Sequence, residues 1–215
     1  MSTLTERLRK YKNTFEKSVP SEVLEVLSRN ISLLQKQHIM ENRLSVGNKI
    51  QGGRIYGSNG HIVELDNLLL QAPMIITFVR GAWCPYCMLE LQQWHKFIRS
   101  IEHPINFIAV SGEISVFSDQ VIEDNKLGFP IWEDKNYQLA NKFGLTYEVA
   151  PEMKALLLKW GIDLTVRTCM KDFVLPTPAT YIIDKDHMIR YAFLEEDYTE
   201  RAEPQAVYDE YKHLL

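Results

Sequence analysis

The stretch Met74-Ile75-Ile76-Thr77-Phe78-Val79-Arg80-Gly81-Ala82-Trp83-Cys84-Pro85-Tyr86-Cys87 decides how this chain is read. Residues 74–79 are a near-continuous apolar run rich in β-branched side chains. Such a run suits a strand buried on both faces, because it leaves no alternate position for solvent. A helical pattern then starts near Cys84 and continues to about Ser100, with Met88, Leu91, Trp94 and Ile98 turned inward. Two cysteines therefore stand where a strand hands over to a helix. Cys84 falls at the helix N-terminus, where unpaired backbone N–H groups and the macrodipole favour an anion. A thiolate is such an anion, so the Cys84 thiol is expected to ionise below its ordinary range. Pro85 suits the first helical turn, which does not need its missing N–H. The two-residue spacer puts Cys87 about one turn on, within reach of a disulfide. Trp83 is placed to cover the sulfur and Arg80 to add positive charge, with Tyr86 beside them.

The pair is read first as a redox site. A zinc knuckle needs two further ligands. Cys169 stands alone, and no second Cys-x-x-Cys or His-x-x-x-His is present. An odd total of three cysteines argues against an extracellular disulfide framework. His38, His61, His95, His103, His187 and His213 form no recognisable cluster. No nucleotide-binding fingerprint is visible either, so neither a metal nor an organic cofactor is expected. Cys169, in Arg167-Thr168-Cys169-Met170, is a passive thiol or an alternative resolving cysteine.

Outward from the motif, 105–110 reads as a second buried strand and 114–127 as a helix. A short strand (129–132) and a short helix (137–143) follow, then a partly helical insertion at 145–172. Residues 180–183 and 189–193 form a hairpin around 184–187, and a helix starts at Pro204. Upstream, Gly52-Gly53 and Ser58-Asn59-Gly60 mark turns, with a small hairpin across the second and a short helix at 65–70. Residues 3–42 read as two amphipathic helices. Thr3 and Glu6 fit a capping box, with Leu4, Leu8, Tyr11 and Phe15 behind them. Pro20 and Ser21 restart the pattern, with Leu24, Leu27, Ile31 and Leu34 on one face. These helices are expected to pack on the main domain, a homodimer contact being the alternative. The division is 1–45, a helical extension, and 46–215, an α/β domain with a mixed central sheet flanked by helices.

Composition fits that class. The 215 residues are 46% hydrophobic and 24% charged, with net charge −4. A pI of about 5.9 argues against a nucleic-acid partner. The longest apolar runs, 74–79 and 155–158, fall far short of a membrane span, and residues 1–10 lack the apolar core of a secretory signal. A soluble cytoplasmic protein is expected. Residues 1–17 hold five Lys/Arg against two Glu, whereas the tail from 194 holds seven Asp/Glu against two Lys/Arg. Solvated faces, or pairing of arm with tail, would follow.

Over roughly 46–215 the chain resembles the thioredoxin suprafamily, and more closely the peroxiredoxin-like proteins of the AhpC/TSA group. The resemblance rests on 78–87, on Leu175-Pro176-Thr177-Pro178-Ala179-Thr180-Tyr181-Ile182-Ile183-Asp184, and on Asp197-Tyr198-Thr199-Glu200-Arg201-Ala202-Glu203-Pro204. It implies a thioredoxin-like fold with an N-terminal helical extension and an insertion before the last strands. It also implies a cis-proline at Pro178, Pro176 being the competing candidate, with the Thr177 backbone lining the substrate face. With Cys87 in the peroxidatic register, Glu90 falls on the family's usual Glu. The family's Thr and remote Arg then fall at Cys84 and Pro178, so both are missing. Peroxide reduction by Cys87, resolved by Cys84, is the first functional reading. Thioredoxin-like disulfide exchange with exposed Cys84 as nucleophile is the second, and a non-catalytic redox-sensing or binding module the third. Substrates are then a peroxide or a protein disulfide, and the electron donor is a small thiol protein or glutathione. Glu90 reads as a helix-surface or supporting charge.

Overall fold

The computed structural model describes residues 2–37, 41–58, 60–70 and 72–215. The expectations that touch 38–40 and Asn59 lie outside these residues. In chain order the elements are α1 (Leu4–Ser18), α2 (Ser21–Lys36), β1 (Arg54–Tyr56), β2 (Ile62–Glu64), α3 (Leu65–Leu69) and β3 (Met74–Val79). Then come α4 (Pro85–Ile98), β4 (Phe107–Ser111), α5 (Ser115–Asn125), β5 (Ile131–Glu133), α6 (Gln138–Lys142) and β6 (Thr146–Glu148). The chain closes with α7 (Pro151–Lys159), α8 (Leu164–Thr168), β7 (Val174–Pro176), β8 (Ala179–Ile183), β9 (Ile189–Leu194) and α9 (Pro204–Lys212).

β3 is the centre of a seven-stranded mixed sheet of order β2-β1-β5-β4-β3-β8-β9. It runs parallel to β4 and antiparallel to β8. All six of its residues are buried, as the apolar run requires. Because side chains alternate along a strand, Ile75 and Val79 join one core with Leu91, Trp94 and Phe107. Met74, Ile76 and Phe78 join the other with Leu65, Phe143 and Tyr181. Thr77 shares the face of Ile75 and Val79, so the one polar residue of the strand is aimed at α4.

The N-terminal helices pack on this domain. The capping box of Thr3 and Glu6 is formed, and Leu4 and Leu8 are buried in the α4 core. Burying each is worth about 1.5–3 kcal/mol. Leu4 N–H and Thr5 N–H donate to the two Glu203 carboxylate oxygens (3.1 and 2.6 Å), and Lys12 pairs with Asp197 (3.1 Å). Basic arm and acidic tail thus do meet within one chain. Leu27 of α2 packs against Met153 and Leu157 of α7.

Two expectations need correction. The 145–172 segment is partly helical as read, with α7 and α8, but it also holds the unread β6, which pairs antiparallel with β7 in a separate two-stranded ribbon. Strands of three residues are too short for periodicity to reveal. The expected cis-proline is absent: every peptide bond among the described residues is trans. Thr177 N–H is taken by Leu145 C=O (2.8 Å), and the Thr177 hydroxyl accepts from Arg43 Nη2 (2.6 Å). These bonds tie the segment to the ribbon, and the ordinary trans preference prevails.

Candidate active site

The loop before α4 is fixed by Gly81. Its φ is +137°, and a Cβ there would lie 2.6 Å from the Glu113 carboxylate carbon and 2.7 Å from Trp83 Nε1. Only glycine tolerates both conditions. Ala82 N–H donates to Glu113, which in turn pairs with Arg167 of α8. Cys84 is the N-cap of α4 and Pro85 occupies its first turn.

Both sulfurs are free thiols and both are buried, Cys84 at 1% exposure and Cys87 at 0%. The exposed nucleophile expected for disulfide exchange is therefore not exposed. Cys84 instead lies on the wall of a cavity of about 330 Å³. Trp83, Pro85, Tyr86 and Arg80 also line it, joined by Tyr11 and Phe15 of α1, Leu27 of α2, Leu157 of α7 and Tyr198. Tyr86 meets Tyr11 and Tyr198 edge-on, with ring centroids 5.2 and 5.8 Å apart. The N-terminal helices thus cover the motif.

The two thiols are driven apart. Burial pushes Cys84 up, but a hydrogen bond from Cys87 and the Arg80 and Arg201 guanidiniums outweigh it and bring the thiol down to about 6. Burial pushes Cys87 well up, reinforced by its hydrogen bond to Cys84 and the charge there. Cys87 Sγ accepts from Arg80 N–H (3.4 Å) and from Arg201 Nη2 (3.5 Å). It does not line the cavity.

Glu90 is completely buried and is not a surface charge. It accepts from Thr77 Oγ1 (2.8 Å) and from Arg201 Nε (2.7 Å). Burial nonetheless dominates over Arg201 and lifts its carboxyl to about 7. Arg201 is a buried arginine that the fold brings to the cysteine pair, although the register put the family's remote arginine at Pro178, where there is none. Its tail motif carried the resemblance, but only the fold brings it to α4. Thr77 was legible only as part of a strand. Tyr11 read only as a helix-face residue and Tyr198 only as part of the tail motif, and Glu113 not at all, since nothing in their spacing links them to residue 84.

Thr177 and Pro178 are buried but do not line the cavity. Cys169 is exposed in a left-handed conformation after α8 (φ 54°) and is not part of the wall. Among the described residues, no group of three His, Cys, Asp or Glu is placed to hold a metal ion. No helix among them is long and apolar enough to cross a membrane.

A mixed sheet that presents a Cys-x-x-Cys pair at the start of its central crossover helix defines a thioredoxin-fold thiol oxidoreductase. Residues 46–192 match the AhpC/TSA family, and the chain belongs to that family. It is a peroxiredoxin-like, thiol-dependent peroxidase by class. No curated protein matches the sequence significantly. Among solved structures, the fold is similar to peroxidoxin BcpB of Mycobacterium tuberculosis, with a TM-score of 0.61 at 14% identity over 80% of this chain and 99% of that one. A peroxiredoxin-like protein of Aquifex aeolicus gives 0.62 at 17% identity, over 80% and 89%. A reduced peroxiredoxin of Vibrio vulnificus in complex with hydrogen peroxide gives 0.60 at 12%, over 79% and 97%.

Proposed function

We propose that Cys84 is the peroxide-attacking thiolate and Cys87 the resolving thiol. The observation that carries this is that Cys84, and not Cys87, lines the cavity, and the surrounding guanidiniums favour its thiolate. This reverses the roles expected from the register.

The Cys84 thiolate attacks one peroxide oxygen, the O–O bond breaks, and the leaving oxygen departs with a proton as water or an alcohol. Arg80, on the same wall, stabilises the charge that develops on that oxygen. Cys84 becomes a sulfenic acid. Cys87 then attacks its sulfur, water leaves, and a Cys84–Cys87 disulfide forms. Glu90, linked to Cys87 through Arg201 and titrating near 7, is suited to take the Cys87 proton. An external dithiol or glutathione returns two electrons. The Vibrio vulnificus neighbour holds hydrogen peroxide as its ligand, which supports the same substrate here.

Disulfide exchange is the second reading, favoured by the same low-pKa thiol at a helix N-terminus. Burial of Cys84 under α1 and α2 weighs against it, because a protein disulfide must reach a sulfur that is 1% exposed. The deciding experiment is a single turnover of reduced protein with one equivalent of hydrogen peroxide, set beside a protein disulfide. Oxidation far faster than that of free cysteine, ending in a Cys84–Cys87 bridge, supports the peroxidase. A rate equal to free cysteine, with rapid exchange, supports the second reading.

A further inference from the structure

Arg80 carries a charge without an ordinary partner. Its side chain sits in a residue only 2% exposed, and its Nε finds no hydrogen-bond partner among the described residues. No carboxylate among them forms an ion pair with it. Its guanidinium carbon lies 4.7 Å from the Trp83 ring centroid and 4.3 Å from that of Tyr198. The rest of the cavity wall is mostly aromatic and aliphatic, with Phe15, Leu27, Leu157 and Ile162 closing it. Cavities of this size and lining, with one convergent polar group, take small apolar ligands and orient them by that group.

Beside the cysteine pair, the buried Arg201 is paired with the buried Glu90 carboxylate, whereas the buried Arg80 pairs with no carboxylate among the described residues. The Cys84 thiolate is the remaining negative charge in the reduced protein. Disulfide formation removes it, and Arg80 is then a buried cation against the Trp83 and Tyr198 ring faces and the Tyr147 phenol, with no anion beside it among the described residues. A buried charge of this kind is costly unless an anion answers it.

We propose that the cavity is a binding site for a small carboxylate with an apolar body, its head on Arg80 and its tail among Phe15, Leu27 and Leu157, and that it binds most tightly when Cys84 carries no thiolate. Geometric fit comes from the fork of the guanidinium, which matches a carboxylate. The redox dependence rests on the Cys84–Cys87 disulfide of the proposed function; the site itself does not. By linkage, a ligand that prefers the disulfide form shifts the disulfide–dithiol equilibrium by the same factor as its affinity ratio.

The test is a calorimetric titration of the full chain with octanoate and, separately, with octanamide as its uncharged counterpart. Both are added to reduced wild type at pH 8, to the disulfide form, and to Cys84→Ser, which lacks the thiolate whatever the peroxidase outcome. Octanoate is expected to bind Cys84→Ser at least tenfold tighter than octanamide does, and at least tenfold tighter than it binds reduced wild type. Arg80→Gln is expected to abolish the preference for octanoate while keeping octanamide binding. Equal affinities of the two ligands for Cys84→Ser, or no binding of either, would overturn the site. Equal octanoate affinity for reduced wild type and Cys84→Ser would overturn the competition with the thiolate. Failure of the peroxidase reading shows separately, as slow reaction with peroxide, and leaves the Cys84→Ser titration unaffected.

Discussion

Arg201 Nε donates to Glu90 Oε2 at 2.7 Å with both side chains almost wholly buried. The two partners are not equivalent. Arginine stays charged under all ordinary conditions, whereas Glu90 already titrates near 7 and protonates if its partner is lost. Glu90→Gln therefore strands a buried cation and is expected to cost about 3–5 kcal/mol. Arg201→Met lets Glu90 take up a proton but also leaves the Tyr198 and Glu200 carbonyls without their donor, so it is expected to cost at least as much. Urea unfolding of both variants at pH 7 checks the order, and the reverse order would contradict this account of the pair.

Stability is expected to depend on pH through Cys84. Its folded thiol ionises near 6, against an ordinary value of 9.0. A lowered folded pKa gives a contribution fully present above pH 9 and lost as pH falls through 6. The stability advantage of reduced wild type over Cys84→Ser should therefore shrink between pH 9 and pH 6. At about 1.4 kcal/mol per pH unit it changes by at most about 4 kcal/mol. Unfolding curves in a reducing buffer measure it, and a gap that stays flat with pH would count against an ionised Cys84.

Gly81→Ala is expected to destabilise by about 2–3 kcal/mol, since it combines a disfavoured φ with a clash against the Glu113 carboxylate. Ala82 and Trp83 would shift with it, so the alkylation rate of Cys84 should also change. Thermal unfolding together with iodoacetamide kinetics reads both effects. A variant identical to wild type in both would show that the loop is not held as described.

Tyr11 tests the cover. It reaches from α1 onto the ring of Tyr86, 5.2 Å between centroids. Tyr11→Ala should open the cavity mouth and raise the rate of Cys84 modification by a bulky maleimide about tenfold, with a smaller change for iodoacetamide. Equal changes for the two reagents would mean that α1 does not limit access.

Much of this architecture is legible in the sequence, for physical reasons. The run 74–79 reads as a strand because burial on both faces leaves no alternation to misread. Cys84 and Pro85 read as a helix start because capping chemistry is local. Thr3 and Glu6 likewise define a cap within one turn. What is not legible depends on distant partners. Glu90 reads as either a surface or a supporting charge, and only β3 with Thr77 and the tail with Arg201 make it the second. Its sequence neighbours on α4 carry no trace of either. The Pro178 bond was assigned from resemblance, and the contacts of Thr177 with Leu145 and Arg43 are long-range facts that no local pattern contains. The ribbon of β6 and β7 escaped for the same reason, as three-residue strands owe their existence to their pairing.

The central claim is that Cys84 attacks and Cys87 resolves. It is tested most directly by mixing reduced Cys87→Ser and reduced Cys84→Ser, each with one equivalent of hydrogen peroxide, in a stopped-flow instrument, with mass spectrometry of the products. The account predicts that Cys87→Ser reacts as fast as wild type and stops at a Cys84 sulfenic acid, while Cys84→Ser reacts no faster than a free thiol. Rapid oxidation of Cys84→Ser at Cys87, with Cys87→Ser inert, would contradict it.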